Sequence, residues 1–287
     1  MKTNSKILYS LNEIKENGYQ IKADIPEEKR CKFCNKIFGV RGILNPFDRS
    51  INLFIQNDKC DCIESIKEKE RLEKERIIAI NKDYEEYRKH EMNKRIKQYY
   101  GTDFITKQFK AQTLESFITN ETNSNMKITA MKFLERFNHT KKGIIFIGKN
   151  GTGKTHIASG IANELMKSNV PVIFGTLTEL LDKYSESYKN HTEIELTKLY
   201  AKVDLLVIDD LGVEVANDWM LSKLFIILNE RIKNELPIII TSNYEFAQLK
   251  QRLSIQNKVC ETTNSIISRL CAMCCRVECK GKDYRMI

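Results

Sequence analysis

The sequence predicts an α/β protein in which a parallel sheet, flanked by helices, carries a phosphate-binding loop. Three observations lead there. Residues 148–155 read GKNGTGKT, between the apolar run Gly143-Ile144-Ile145-Phe146-Ile147 and a helical pattern that begins His156-Ile157-Ala158. Two further apolar strands are read at Val203-Asp204-Leu205-Leu206-Val207-Ile208-Asp209-Asp210-Leu211-Gly212, which ends in the carboxylates Asp209 and Asp210, and at Pro237-Ile238-Ile239-Ile240-Thr241-Ser242-Asn243, which also ends in polar residues. Buried parallel strands do this because ligands collect at their C-terminal ends. Helical stretches separate the runs, and Val172 to Phe174 supplies another short strand.

Along the chain, the first element is a cysteine module. Cys31-x-x-Cys34 and Cys60-x-Cys62 are separated by a 25-residue insert containing Gly39, Gly42 and Pro46. Two close pairs on turns are what tetrahedral Zn²⁺ asks of a chain: each knuckle gives two thiolates, and the insert has room for a hairpin strand such as Ile51-Asn52-Leu53-Phe54-Ile55. The second pair is tighter than the commoner C-x-x-C. Cys31, Cys34, Cys60 and Cys62 are the expected ligands of a closed structural site, which would fold a small module (residues 1–63) for contact with a protein or a nucleic acid. Four unrelated reduced thiols are the alternative.

Residues 64–98 contain no glycine or proline, and acids and bases recur at helical spacing, as in Glu70 with Lys74. The pattern predicts one long helix over 64–100. Ile77, Ile80, Tyr84 and Tyr87 form an apolar stripe on it, suited to a partner surface but too short for a coiled coil. A solvated connector is the expectation. Composition changes around Gly101, and a nucleotide-binding domain is expected over 101–287.

The GKNGTGKT segment is a Walker A loop in its proper setting. Gly148, Gly151 and Gly153 let the backbone aim N–H groups at the β-phosphate of a nucleoside triphosphate, and the following helix N-terminus adds partial positive charge. Lys149, Asn150, Thr152 and His156 complete the loop; Lys154 would reach the β- and γ-phosphates, and Thr155 would ligate Mg²⁺. On the next acidic strand end, Asp209 is expected in the Mg²⁺ shell and Asp210 beside an attacking water. Asn243, at the end of the other strand, is the candidate sensor of the γ-phosphate; a turn-forming Asn is the plainer alternative. Residues 178–200 read as a helical, polar insert. Its Lys183, Tyr184, Tyr188 and Lys189 are residue types that grip single-stranded DNA, and equally those of an ordinary solvated helix.

The Walker A loop, the LLVIDDLG strand, the helix with Trp219 that runs through Leu228-Asn229-Glu230-Arg231, the PIIITSN strand, and the terminal ISRL and GKDYR resemble the DnaC/IstB branch of AAA+ ATPases. The resemblance covers roughly residues 104–287 and includes Thr113-Leu114-Glu115-Ser116-Phe117. The cysteine module and charged helix ahead of it resemble bacterial and phage replicative helicase loaders. That resemblance implies an ATPase that associates with copies of itself, binds single-stranded DNA and delivers a hexameric replicative DNA helicase. It also makes Arg269 an arginine finger acting on a neighbouring subunit's ATP, and Arg285 a nucleotide contact. Two departures stand out. Ser265 occupies a place where many relatives have Arg, and Asp210 one where many AAA+ proteins have Glu, which would slow hydrolysis. Eight residues remain after the expected last strand, Arg276-Val277-Glu278-Cys279, so a helical lid is expected to be absent or truncated. An IstB-like transposition helper and a non-hydrolysing, ATP-switched adaptor are the other readings.

Composition excludes some classes. Lys and Arg outnumber Asp and Glu by 47 to 38, giving +9, which favours polyanionic partners. No apolar stretch approaches the roughly eighteen residues of a membrane span, and Met1-Lys2-Thr3-Asn4 leads into polar sequence and not into a signal-peptide core. A cytoplasmic location and reduced cysteines are expected, with no membrane partner. The second group, Cys271, Cys274, Cys275 and Cys279, reads as small packed thiols, not a second Zn²⁺ site.

Overall fold

The computed structural model describes residues 8–45, 47–56, 59–101, 107–256, 258–281 and 283. Its chain forms two compact units, Met1–Tyr84 and Glu85–Ile287.

In the first unit a four-stranded sheet has the order β1-β3-β4-β2, built from β1 (Leu8–Ser10), β2 (Gln20–Ile21), β3 (Val40–Leu44) and β4 (Ser50–Gln56). The hairpin expected around Ile51–Ile55 is the antiparallel β3–β4 pair, with Gly42 opposite Phe54. Helix α1 (Leu11–Glu16) starts in a capping box: the Glu13 amide donates to Ser10 Oγ, and the Ser10 amide donates back to the Glu13 carboxylate at 2.8 Å. Among the described residues of this unit, Ile14 and Ile51 are the fully buried apolar side chains, so the core is small. The long helix is α2 (Ile63–Tyr100). Its stripe of Ile77, Ile80, Tyr84 and Tyr87 is exposed.

In the second unit five parallel strands have the order β6-β7-β8-β5-β9: β5 (Gly143–Ile147), β6 (Val172–Thr176), β7 (Leu205–Asp209), β8 (Ile238–Ser242) and β9 (Cys274–Glu278). Alternation sorts their side chains into two cores. Ile145, Ile147, Leu206, Ile208, Ile238 and Ile240 join one; Ile144, Phe146, Leu205, Val207 and Ile239 join the other. Burial on both faces is why these strands read as continuous apolar runs. Helices α3 (Lys107–Ala111), α4 (Ser124–Glu135) and α5 (Lys154–Lys167) contribute to the second core. The first takes α6 (Leu177–Lys189), α7 (Glu193–Lys202), α8 (Asp218–Lys233), α9 (Phe246–Arg252) and α10 (Glu261–Met273), with Met92 and Ile96 from the end of α2.

The N-terminal rim of this sheet is tied by charge. Arg231 on α8 is fully buried and donates to the carbonyls of Tyr200, Val203, Asp204 and Pro237. Burial pulls its pKa down to about 9, against the nearby Asp204 charge. Arg88 of α2 meets the Asp204 carboxylate with two bonds, at 2.7 and 3.0 Å. Removing one member of such a set leaves desolvated polar groups without partners, which costs far more than the pair contributes net.

Candidate functional site

The C-terminal rim of the parallel sheet gathers the residues singled out for chemistry. After β5 the chain turns through Gly151 (φ +73°) and Gly153 (φ +87°), a left-handed conformation that side chains with a Cβ resist, and α5 begins at Lys154. Lys149 and Asn150 are exposed at the loop tip, while Thr152 Oγ1 donates to the Lys149 carbonyl at 2.9 Å. Lys154 is only 4% exposed; its ammonium donates to the Lys149 carbonyl at 2.9 Å and to Asn243 Oδ1 at 2.7 Å. Asn243 thus meets the loop lysine across the sheet. Gly148 donates its amide to the Ser242 carbonyl at 3.2 Å, which ties the loop to β8. The His156 ring is taken up by the Thr113–Phe117 segment, 3.0 Å from both Ser116 Oγ and the Thr113 carbonyl and edge-on to Phe117.

Two hydroxyls converge on one carboxylate. Thr155 Oγ1 donates to Asp209 Oδ1 at 3.1 Å, and Thr241 Oγ1 donates to the same oxygen at 2.5 Å. Burial raises the Asp209 pKa; the Thr241 bond opposes that shift and the Asp210 charge adds to it. Asp210 leaves the strand at φ +50°, and its amide donates to Thr241 Oγ1 at 2.8 Å. A hydroxyl and a carboxylate in contact at the head of a phosphate loop are hard oxygen donors of the kind Mg²⁺ takes. Burial also raises the pKa of Glu214, which accepts the Gly212 amide at 2.8 Å.

Arg269 lies on α10 against α8. Its guanidinium sits 4.2 Å over the Phe225 ring, Nε and Nη2 donate to Asn229 Oδ1 at 3.3 and 3.1 Å, and Nη1 reaches the Ser265 carbonyl. Arg285 lies outside the described residues.

In the first unit Cys31, Cys34, Cys60 and Cys62 bring their sulfurs within 4.8 Å of one another. Cys31 and Cys62 are 3.8 Å apart, Cys34 and Cys60 3.4 Å. Tetrahedral Zn–S bonds of about 2.3 Å require edges of roughly 3.8 Å, so the donor set fits Zn²⁺. The backbone amides of Cys34 and Phe33 hold the Cys31 pKa down to about 6, whereas burial pushes Cys62 up to about 12. Among the described residues no other metal-holding cluster forms; Cys274 and Cys279 are buried singly, Cys271 and Cys275 exposed.

The family model described as IstB-like ATP binding protein matches residues 66–287. The chain belongs to this family. The replicative helicase loader DnaC of Buchnera aphidicola subsp. Baizongia pistaciae (strain Bp) is 26% identical over 187 residues, 64% of this chain and 72% of that protein. The crystal structure of the DnaC helicase loader superposes with a TM-score of 0.53 at 25% identity, covering 61% of this chain and 100% of that one. Replication initiator DnaA bound to AMPPCP and single-stranded DNA gives 0.53 at 27% identity, covering 63% of this chain and 52% of that one. The chain spans about half the length of other curated DnaC loaders it matches, 51% in Escherichia coli (strain K12). The IstB-like domain has the AAA+ α/β fold, and the cysteine cluster lies ahead of the matched residues.

One reading of this IstB-like chain fails. Tyr184 is fully buried, its hydroxyl donating to Thr197 Oγ1 at 3.0 Å, so it cannot stack on DNA. It belongs to the apolar face that Leu177, Leu180 and Leu181 continue. Tyr188 remains exposed, and Trp219 Nε1 donates to its hydroxyl at 3.3 Å with the Lys223 ammonium 5.6 Å from the ring centre. Trp219, Lys223, Thr241 and Glu214 were not among the expected site residues. Thr241 had one signal, a hydroxyl directly after the apolar run Ile238-Ile239-Ile240.

Proposed function

We propose that this chain is an ATP-dependent replicative DNA helicase loader of the cytoplasm. It binds ATP with Mg²⁺, hydrolyses it, associates with its own copies, grips single-stranded DNA and delivers a hexameric helicase. Residues 1–63 would be the Zn²⁺ module that holds the helicase, 64–100 the connector and 101–287 the ATPase domain. The observation that carries the nucleotide part is the bonded set Lys154–Asn243 and Thr155–Asp209, in a chain of an ATP-binding family. Similarity to DnaC, with a cysteine cluster ahead of the matched domain, supports the loader part. No helix among the described residues is long and apolar enough to cross a membrane.

In this reading Gly148 to Thr155 wrap the phosphates, Lys154 and Asn243 hold the γ-phosphate end, and Thr155 with Asp209 would hold Mg²⁺, which neutralises phosphate charge when bound. Asp210 orients the attacking water and Arg269 supplies charge in trans. Lys154→Ala is expected to weaken binding of a fluorescent ATP analogue at least about tenfold, since a charged, nearly buried phosphate donor is lost; unchanged affinity would remove the site. Trp219, Tyr188 and Lys223 are the aromatic and cationic groups best placed to hold DNA bases. Stacking contributes about 1–3 kcal/mol per base, so Trp219→Ala should weaken oligo-dT binding about five- to 150-fold in an anisotropy titration. Equal affinity would return Trp219 to an ordinary surface role.

The deciding experiment for the partner is capture by the full chain with Zn²⁺ present and chelated. Zn²⁺-dependent retention of a purified hexameric replicative helicase supports the loader. The family's IstB description favours one rival, the transposition helper, which would retain a transposase and double-stranded DNA instead. An adaptor that only binds ATP would keep its function after Asp210→Asn, whereas a loader that needs hydrolysis would lose it.

A further inference from the structure

We infer that Thr241 is a positioning residue for the Mg²⁺ edge of the nucleotide site, one buried hydroxyl that sets both acidic residues at the end of β7. The inference rests on reading Thr155 and Asp209 as the Mg²⁺ residues. It adds a residue from the neighbouring strand that would touch neither nucleotide nor metal.

Thr241 follows Ile238-Ile239-Ile240 in β8, between β7 and β5, and has no exposed surface. A hydroxyl there is costly unless bonded. Both of its capacities are used: its proton goes to Asp209 Oδ1 at 2.5 Å, and its oxygen accepts the Asp210 amide at 2.8 Å. The Leu211 amide then donates to the Thr241 carbonyl at 2.9 Å. Three consecutive residues are therefore tied to one.

The place of these bonds explains their use. The β7–β8 ladder pairs Leu206 with Ile238 through Ile208 with Ile240 and goes no further. One residue past Asp209 the backbone enters the left-handed region at Asp210, which costs an L-residue about 1 kcal/mol. The Thr241 side chain takes the Asp210 amide where the ladder has ended, and so supports that turn. Its other bond, shared with Thr155 on the same carboxylate oxygen, leaves the Asp209 side chain little freedom to rotate. A carboxylate fixed before the metal arrives binds it without first being ordered. A threonine that merely filled space could be valine.

The test uses the full chain and a fluorescent ATP analogue titrated with MgCl₂. Thr241→Val is expected to raise the Mg²⁺ concentration at half-maximal enhancement about tenfold or more, because a hydrogen bond to a charged group is lost. Affinity with Mg²⁺ withheld should stay within about twofold, as should the Mg²⁺ midpoint of Thr241→Ser. A Val variant that folds and keeps the wild-type midpoint overturns the inference. If the Val variant does not fold, Thr241→Cys, near serine in size and a weak donor, is read against the same midpoint with the same two outcomes. Should wild type show no Mg²⁺ dependence, the metal reading falls and Thr241 with it; wild-type dependence unchanged in the Val variant sinks Thr241 alone.

Discussion

Arg269→Ala is expected to lower DNA-stimulated ATP turnover by about 10³-fold or more, the usual worth of a guanidinium supplied to a phosphoryl group in trans. ATP affinity should stay within about twofold. The side chain's contacts are Phe225, Asn229 and Ser265, none of them in the phosphate loop, so its loss leaves the subunit's own pocket intact. Those contacts also hold the plane of the guanidinium. Arg269→Lys should not rescue, because an ammonium cannot reproduce the planar fork whose Nε and Nη2 converge on Asn229 Oδ1. Mixing supplies the sharper check. Lys154→Ala subunits keep the finger and Arg269→Ala subunits keep the pocket, so a mixture should regain part of the turnover that each lacks alone. If the Arg269→Ala protein alone matches wild type, the finger assignment is wrong.

Removing Zn²⁺ should unfold the first unit while ATP binding survives. Structural Zn²⁺ supplies about 10–16 kcal/mol of apparent binding free energy in small modules. Among its described residues this unit has little else: two fully buried apolar side chains, Ile14 and Ile51, and short strands. The four sulfurs lie within 4.8 Å of one another, close to the spacing that a tetrahedral Zn²⁺ asks of four thiolates. Metal analysis of the purified chain should give about one Zn²⁺ per chain, and Cys31→Ser or a chelator should abolish hydrogen-exchange protection of β3 and β4. Protection that persists without metal would return the four cysteines to packing.

Much of the parallel-sheet core was legible because its strands are buried on both faces and end in polar residues or glycine; Ile147 and Asp209 each mark a real strand end, and Asn243 stands one residue past another. The final strand was read too late. Cys274 pairs with Gly143, so β9 begins there, and a cysteine-rich start hid the apolar burial of Cys274 in the first core and of Val277 in the second. Tyr184 misled because its neighbours are polar, although Leu177, Leu180, Leu181 and Tyr184 recur at helical spacing and all face inward. Thr241 and Arg231 escaped for a different reason. Their meaning lies in partners on other elements, such as Asp209 and Tyr200, which no local pattern encodes.

The parallel sheet gives the domain a polarity. Lys154, Asp209, Thr241 and Asn243 stand at the rim where its strands finish; Asp204, Arg231 and the Pro237 carbonyl stand where β7 and β8 start. Chemistry and anchorage are thereby written at opposite ends of the same five strands. A substitution in the loops of the first rim can therefore alter what is gripped there while the bonds of Arg231 and Arg88 at the second rim stay in place.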